Sequence, residues 1–385
     1  MRKITLHIFT LFSLMLSLWS ISAQNTNMQK IHWRVLGVLP SSKTGTASGL
    51  AGAFTGASGD LMWIAGGSNF SNGLPWEGGS KLFHDTVYFF QRNKNGMDLL
   101  PVRGRLPVAL AYGTSIAWKN GVVCVGGQNQ SGFSNKVFFA YIKTGKPSLQ
   151  YKILPDLPAG LANASGVLYQ HTLYIAGGET VDGPTDHFLS LDISTEGAKW
   201  KMLPKLPVAV SHAIMVVQSN GKDTSLYLVG GRRKDISGIS EFYAAVYHYD
   251  FITASWQTCS SMPYALSAHT GIAFEGNRIL IFGGDKGAVF NKVEKTLVAI
   301  GKENDPRQKA ALVKIKNELQ NSHPGFSREI LSYHTVTGKW ELSDVLPFPA
   351  PVTTTAFIWN RSIIIPSGEV KAGIRSPEIW MGTLQ

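Results

Sequence analysis

Cysteine and charge are both scarce in this chain. Only two cysteines, Cys124 and Cys259, occur in 385 residues. Zinc and redox motifs need closely spaced cysteines, and these two lie far apart. Charged residues make up 16% of the sequence, with no long acidic, basic or low-complexity run. The high-charge, low-hydrophobicity signature of disorder is therefore missing. Beyond the N-terminus no segment is apolar for long enough to cross a bilayer, which takes about 20 residues. What the chain does have is 40 glycines and 44% hydrophobic residues, enough to bury a large core.

The N-terminus reads as a targeting segment. Arg2 and Lys3 form a basic region, Leu6 to Trp19 an apolar stretch, and Ile21-Ser22-Ala23 a small-residue cleavage site. Residues 1–23 are thus expected to be a signal peptide, cleaved before Gln24, with the mature protein periplasmic or secreted. No cysteine follows the stretch to carry a lipid anchor. Removing Arg2 and Lys3 takes the formal charge from +11 to +9, which favours acidic ligands or anionic surfaces. Nucleic acid fits poorly, because the basic residues are scattered and the chain is expected to be exported.

An apolar strand ending in a glycine pair recurs along the chain. It appears as Trp63-Ile64-Ala65-Gly66-Gly67, and again ending in Gly126-Gly127, Gly177-Gly178, Gly230-Gly231 and Gly283-Gly284. A degenerate sixth copy reads Ile364-Ile365-Pro366-Ser367-Gly368. The steps between copies are 60, 51, 53, 53 and 84 residues, so one unit carries an insertion, placed at about 287–328. A second motif ends in Leu-Pro or Met-Pro at Pro40, Pro107, Pro158, Pro207, Pro263 and Pro347, in four cases with a preceding Trp. Six of each means six units, and Cys124 and Cys259 fall in different ones, so no disulfide is expected.

The double glycine with spaced Tyr and Trp resembles the kelch repeat over residues 31–385. The expected fold is all-β, a six-bladed kelch-type β-propeller with strands a to d in each blade and a innermost. The last unit runs out of chain after three strands, so Ile31–Val38, with Trp33, is expected to supply its strand d and close the ring. Within the insertion, Asp305 and Pro306 suit a helix start, and Leu312, Ile315 and Leu319 follow at helical spacing. A short helix is expected there, serving as a lid, a packing decoration or a dimer contact.

Antiparallel order places the residues after each glycine pair and after each Leu-Pro around one mouth of the channel. The first set comprises Asn69, Gln128, Asn129, Glu179, Arg232, Arg233, Asp285, Lys286 and Glu369; the second comprises Phe54, Tyr112, Asn163, His212 and His269. Such a ring of polar and cationic groups suits a polyhydroxylated acid, whose carboxylate asks for arginine. Each of these residues alone would equally serve to satisfy a propeller turn.

The segment Gly368-Glu369-Val370-Lys371-Ala372-Gly373-Ile374-Arg375 resembles the Gly-Glu-x-Lys-x-Gly-x-Arg pattern of the sialic acid mutarotases (N-acetylneuraminate epimerases), which are periplasmic kelch propellers. Ala51-Gly52-Ala53-Phe54 and Ala65-Gly66-Gly67 are similar to further family segments. Because the Gly-Glu blade comes last, the order resembles the circularly permuted branch of that family. The resemblance implies Glu369 and Arg375 as the catalytic pair and N-acetylneuraminate or a related sialic acid as substrate. Glu369 would act as base in opening and reclosing the sugar ring, and Arg375 would grip the substrate carboxylate. Arg232, His269, Asn69, Tyr112 and Lys371 are the candidate substrate-binding residues, with no metal or organic cofactor required.

A non-catalytic kelch propeller that binds a glycan or protein is the main alternative. A sialidase is disfavoured, since Ser194 to Trp200 does not match the Asp-box spacing of those enzymes. A copper radical oxidase is disfavoured because neither cysteine is placed for a Tyr–Cys–His ligand set.

Overall fold

The apolar runs that end in glycine pairs form the buried second strand of each sheet in the computed structural model, which describes residues 30–40, 49–94, 96–143 and 147–384. The expected signal peptide lies outside these residues. Six four-stranded antiparallel sheets follow one another around a channel. Blade 1 runs Phe54–Ser58, Leu61–Ala65, Thr86–Arg92, Met97–Arg105, and blade 2 Thr114–Trp118, Gly121–Val125, Val137–Ile142, Leu149–Ile153. Blade 3 is Ser165–Tyr169, Thr172–Ala176, Phe188–Asp192, Lys201–Met202, and blade 4 Ile214–Ser219, Thr224–Val229, Val246–Asp250, Ser255–Thr258. Blade 5 is Thr270–Phe274, Arg278–Phe282, Glu329–His334, Lys339–Val345. Blade 6 takes Phe357–Trp359, Ser362–Lys371 and Ile374–Leu384 from the C-terminal end, and Ile31–Val38 as its outermost strand.

That N-terminal strand pairs antiparallel with Ile374–Leu384, placing Trp33 opposite Gly382. The indole lies over the glycine, where an added Cβ would come within 2.9 Å of it. Trp33 also meets Phe282 and Phe348 edge-on, at 5.9 and 5.5 Å, which joins blade 6 to blade 5. Large side chains such as Phe54, Trp63 and Phe138 fill the space between neighbouring blades, each contributing about 1.5–3 kcal/mol of burial. Tryptophans in or just before the outer strands reach back to the preceding inter-blade loop: Trp200 Nε1 donates to Pro155 O at 2.8 Å, and Trp340 Nε1 to Ser260 O at 2.9 Å. Cys124 and Cys259 are both free thiols.

The glycine pairs join each blade to the next. In blades 1 to 4 the second glycine donates its N–H to a carbonyl at the entry of the following blade: Leu110, Leu161, Val210 and Leu266, each at 2.8 Å. Both glycines have positive φ, a conformation costly for other residues. The degenerate sixth copy reaches the same end differently. Ser367 holds φ 51°, and its hydroxyl accepts from Leu50 N at 2.8 Å while facing the carbonyls of Leu50 and Ser376.

One further layer closes the ring. Gly52, Tyr112, Asn163, His212, Ala268 and Thr353 occupy equivalent positions just before the inner strands, all with φ between 50 and 64°. Each donates its N–H to the carbonyl of the preceding member, from Gly52 to Thr353 O at 2.7 Å round to Thr353 to Ala268 O at 3.1 Å. The six bonds make a closed circle around the channel. In the left-handed conformation the N–H and C=O of one residue serve both neighbours, at a cost that only glycine escapes.

The insertion in blade 5 holds two helices rather than one, α1 (Ala288–Lys302) and α2 (Pro306–Asn321). Asp305 caps α2 as expected, accepting from Arg307 N and Gln308 N at 2.9 Å each. Helix α1 starts after Gly287, at φ 82°, with no side-chain cap, so the sequence carries no polar start signal for it. Among the described residues no helix is long and apolar enough to cross a membrane.

Gly52 and Gly59 test the circle directly. Both have positive φ, but a Cβ on Gly52 would lie 2.5 Å from Tyr112 N, whereas one on Gly59 would meet nothing within 4 Å. Gly59→Ala should cost about 1 kcal/mol of stability from backbone conformation alone, and Gly52→Ala at least about 2 kcal/mol more. Denaturant unfolding of the two variants measures the difference; equal losses would contradict the closed circle.

Candidate functional site

The strand that leaves each glycine pair alternates its side chains with period two, and this alternation decides which residues enter the mouth. The first residue after the pair, at Ser68, Gln128, Glu179, Arg232, Asp285 and Glu369, bridges back to the residue before each member of the backbone circle. Of these, Gln128, Glu179, Arg232, Asp285 and Glu369 line a cavity of about 430 Å³. The second residue points elsewhere. Asn69 Oδ1 meets His84 Nε2 at 2.8 Å, Asn129 Nδ2 donates to Ala109 O, Arg233 pairs with Glu241, and Lys286 pairs with Glu329.

The candidate residues at the strand a starts divide similarly. Tyr112, Asn163 and His212 belong to the circle and line the cavity, joined by Ala268 and Thr353. Phe54 is buried between blades 1 and 2, edge-on to Phe138 at 6.2 Å. His269 sits one residue past its circle position. It is buried, bonded through Nε2 to Val229 O at 3.1 Å, and borders a smaller cavity of about 150 Å³ beneath the circle. Lys371 stands at the tip of the blade 6 hairpin, opposite Ile374, and does not line the cavity. Of the five candidate binding residues, the structure brings Arg232 and Tyr112 to the cavity, and places His269, Asn69 and Lys371 away from it.

Glu369 and Arg375 face each other across that hairpin. Arg375 Nη2 lies 3.1 Å from Glu369 Oε2, and Arg375 Nη1 donates to Gly373 O at 2.9 Å. Gly373 N donates to Glu369 Oε1 at 3.0 Å, and the guanidinium lies 4.2 Å above the Phe70 ring. The arginine side chain is only 4% exposed and the glutamate 21%. Arg375 is thus committed to holding the carboxylate, which keeps an open face towards the cavity.

Arg232 is placed differently. Its Nη1 donates to Ser267 Oγ at 3.1 Å, its Nη2 meets His212 Nε2 at 3.2 Å, and it stacks 4.7 Å from the Phe290 ring centre. These partners are neutral, and among the described residues no carboxylate oxygen comes within ion-pair distance. Burial pulls its pKa below the usual arginine value, against the more distant charges of Glu179, Asp285, Glu294 and Glu369. A guanidinium remains a cation in proteins, so this group presents to the cavity a positive charge with no direct carboxylate partner among the described residues.

A relay runs outward from Arg232. Burial first, and then Arg232, push the His212 pKa down to about 3, with Glu179 opposing. The ring is therefore neutral at physiological pH, with Nε2 accepting from Arg232 and Nδ1–H donating to Ser211 Oγ at 2.9 Å. Ser211 Oγ donates to Glu179 Oε1 at 2.9 Å, and Asn163 Nδ2 to Glu179 Oε2 at 2.9 Å. Burial alone would raise the Glu179 pKa. His212, Arg232 and the two hydrogen bonds outweigh it and hold the carboxyl below its usual value. With His212 neutral, Arg232 and the hydrogen bonds carry that effect.

The roof of the cavity was foreseen only as a lid that the insertion could form, not residue by residue. It is made by Phe70, Pro75 and Trp76 from blade 1, by Val289, Phe290 and Val293 from α1, and by Gln320, His323 and Phe326 at the end of the insertion. Trp76 Nε1 donates to Asn321 Oδ1 at 2.7 Å, tying the blade 1 loop to α2. Buried Glu294 fixes α1 to the blade 4 hairpin, accepting from Ser240 N at 2.6 Å and Ser240 Oγ at 3.0 Å. The spacing of Val289, Phe290, Val293 and Leu297 was the available signal for α1.

Buried, neutral histidines make stability depend on acid. His212 and His269 titrate at about 3 and about 4 when folded, against about 6.5 unfolded. The unfolded chain binds the extra protons, so stability is complete above about pH 6.5 and declines as pH falls towards the folded values. Each residue contributes about 1.4 kcal/mol per pH unit in that window. Thermal unfolding between pH 7 and 4.5 should show this decline, made shallower by His269→Gln; a flat profile would contradict it.

Comparison with known proteins adds a family. A family model described as N-acetylneuraminate epimerase matches residues 154–385. The chain is 27% identical to the N-acetylneuraminate epimerase of Haemophilus influenzae (strain PittEE) over 229 residues, 59% of this chain and 58% of that protein. It is 26% identical to that of Pasteurella multocida (strain Pm70) over 253 residues, 66% and 64% of the two chains. Against the Yersinia pestis (strain Pestoides F) protein the identity is 25% over 245 residues, 62% and 59%. The match thus spans about three-fifths of the length of these relatives.

Proposed function

The chain belongs to the N-acetylneuraminate epimerase family, and we propose that it interconverts the α and β anomers of N-acetylneuraminate or a closely related sialic acid. The observation that carries the reading is the Glu369–Arg375 pair, facing a roofed cavity lined also by Arg232, which has no direct carboxylate partner among the described residues. A cavity of about 430 Å³ is within the usual range for small-molecule sites. The proposal includes export, on the strength of residues 1–23.

In this mechanism Glu369 takes the proton of the anomeric hydroxyl. The bond between the anomeric carbon and the ring oxygen breaks, and protonated Glu369 returns its proton to the ring oxygen, giving the open keto acid and restoring the carboxylate. Rotation about the bond next to the ketone presents its other face. Closure reverses both proton transfers, so nothing is consumed and no redox partner is required. Arg375 holds Glu369 in position through Oε2, while the Gly373 N–H fixes Oε1. Arg232 receives the substrate carboxylate in place of the grip first expected of Arg375, because its fork lacks a carboxylate partner. Tyr112, Gln128 and Asn163 offer donors and acceptors to the hydroxyls.

Proton NMR of freshly released α-N-acetylneuraminate tests the reading. The protein should speed conversion to the β anomer, and Glu369→Gln should lose at least about a hundredfold of that acceleration, as removal of a general base does. Line broadening of the sugar without faster conversion would make this a binding propeller instead. Neither broadening nor acceleration would remove the sialic acid assignment.

A further inference from the structure

In the roof of the cavity, His323 has one edge committed and the other open. It stands two residues past the end of α2, is 7% exposed and lines the cavity. Its Nδ1 accepts from Gly325 N at 3.0 Å, and the ring packs against Phe326 with centroids 5.1 Å apart. A backbone N–H donated to Nδ1 fixes the tautomer, so the neutral ring carries its proton on Nε2. Nε2–H bonds to no described residue, yet it is not among the unpaired atoms sealed from solvent. Its opening is the cavity that the residue borders.

The roof also brings this ring over the Glu369 hairpin. A Cβ on Gly325 would come within 3.3 Å of Val370 O, and one on Gly373 within 3.3 Å of Pro75 and Trp76. The loop after α2 and the blade 1 loop thus both rest on blade 6. Burial lowers the His323 pKa, opposed by the charges of Asp285 and Glu369 and assisted by Lys371. The ring is therefore neutral at physiological pH.

We infer that His323 is a further catalytic residue, whose Nε2–H binds the ring oxygen of the sugar acid as the ring opens. Hydroxyl, carboxylate and ring oxygen surround the anomeric carbon. The hydroxyl faces Glu369 and the carboxylate faces Arg232, which leaves the ring oxygen for a donor in the roof. When its bond to the anomeric carbon breaks, that oxygen keeps the electron pair, and Glu369 then supplies the proton. His323 gives up no proton; its N–H stabilises the negative charge that develops in between. Neutrality suits the role, because an imidazolium would pair with Glu369 and weaken it as a base. This inference rests on the mutarotase reading and deepens it.

Two substitutions separate the donor from the loop bond. His323→Asn keeps an acceptor for Gly325 N but removes the donor at Nε2; His323→Gln keeps a donor there and removes the acceptor. Anomer exchange of N-acetylneuraminate, followed by NMR, should lose at least about tenfold in kcat in the Asn variant. KM should change little, and the Gln variant should recover most of the rate. A purely structural role reverses that order. An Asn variant as fast as wild type, or a Gln variant no faster than Asn, would overturn the inference and leave the mutarotase reading standing. Wild-type protein that does not speed exchange would overturn both. Long-range proton–nitrogen spectra of the histidines, assigned with the Asn variant, give a readout apart from rate. They should show His323 neutral at pH 7 with its proton on Nε2; a proton on Nδ1 would overturn the inference.

Discussion

The closed circle of six backbone hydrogen bonds at the channel mouth is the constraint on which the rest of the site depends. Gly52, Tyr112, Asn163, His212, Ala268 and Thr353 each bond to the blade before and the blade after, so no blade can tilt without straining two neighbours. Five of the six carry side chains in a conformation that disfavours them. The fold sustains that strain because the glycine pairs, or Ser367 in blade 6, join each blade to the next, and because Ile31–Val38 completes the final sheet. What results is a rigid floor that fixes where the next residue of each blade must point.

On that floor the charges fall into two arrangements with different consequences. Glu369 and Arg375 neutralise each other within one hairpin, which positions a carboxylate without leaving net charge. Arg232 is held by Ser267 and neutral His212, so its charge stays available to an anion. A carboxylate drawn to Arg232 would lie between the two arrangements, beneath the roof formed by α1 and Trp76. The relay through His212, Ser211 and Glu179 keeps Arg232 oriented while sharing its hydrogen bonds among groups that are all satisfied.

Much of this was legible from the residues. Five glycine pairs with one degenerate copy, and six Leu-Pro or Met-Pro motifs, defined the blades, and a final unit short of one strand pointed to closure by Trp33 and its neighbours. The Glu369 and Arg375 spacing placed both on one tight hairpin, where they do meet. Register was harder. His269 looked equivalent to His212, yet it stands six residues past its motif proline where His212 stands five past, and Ala268 holds the circle position. Asn69 and Arg233 were grouped with the mouth although period-two alternation turns them away from it. Helix α1 escaped notice because Gly287 starts it by backbone conformation alone.

The central claim is that one sugar acid spans the two charge arrangements, its carboxylate at Arg232 and its anomeric centre at Glu369. A crystal structure with an unreactive sialic acid analogue bound tests this most directly. The account predicts carboxylate oxygens within hydrogen-bond distance of the Arg232 guanidinium and the anomeric substituent beside the Glu369 carboxylate. A ligand whose carboxylate displaces Glu369 from Arg375, or which binds outside the roofed cavity, would contradict it.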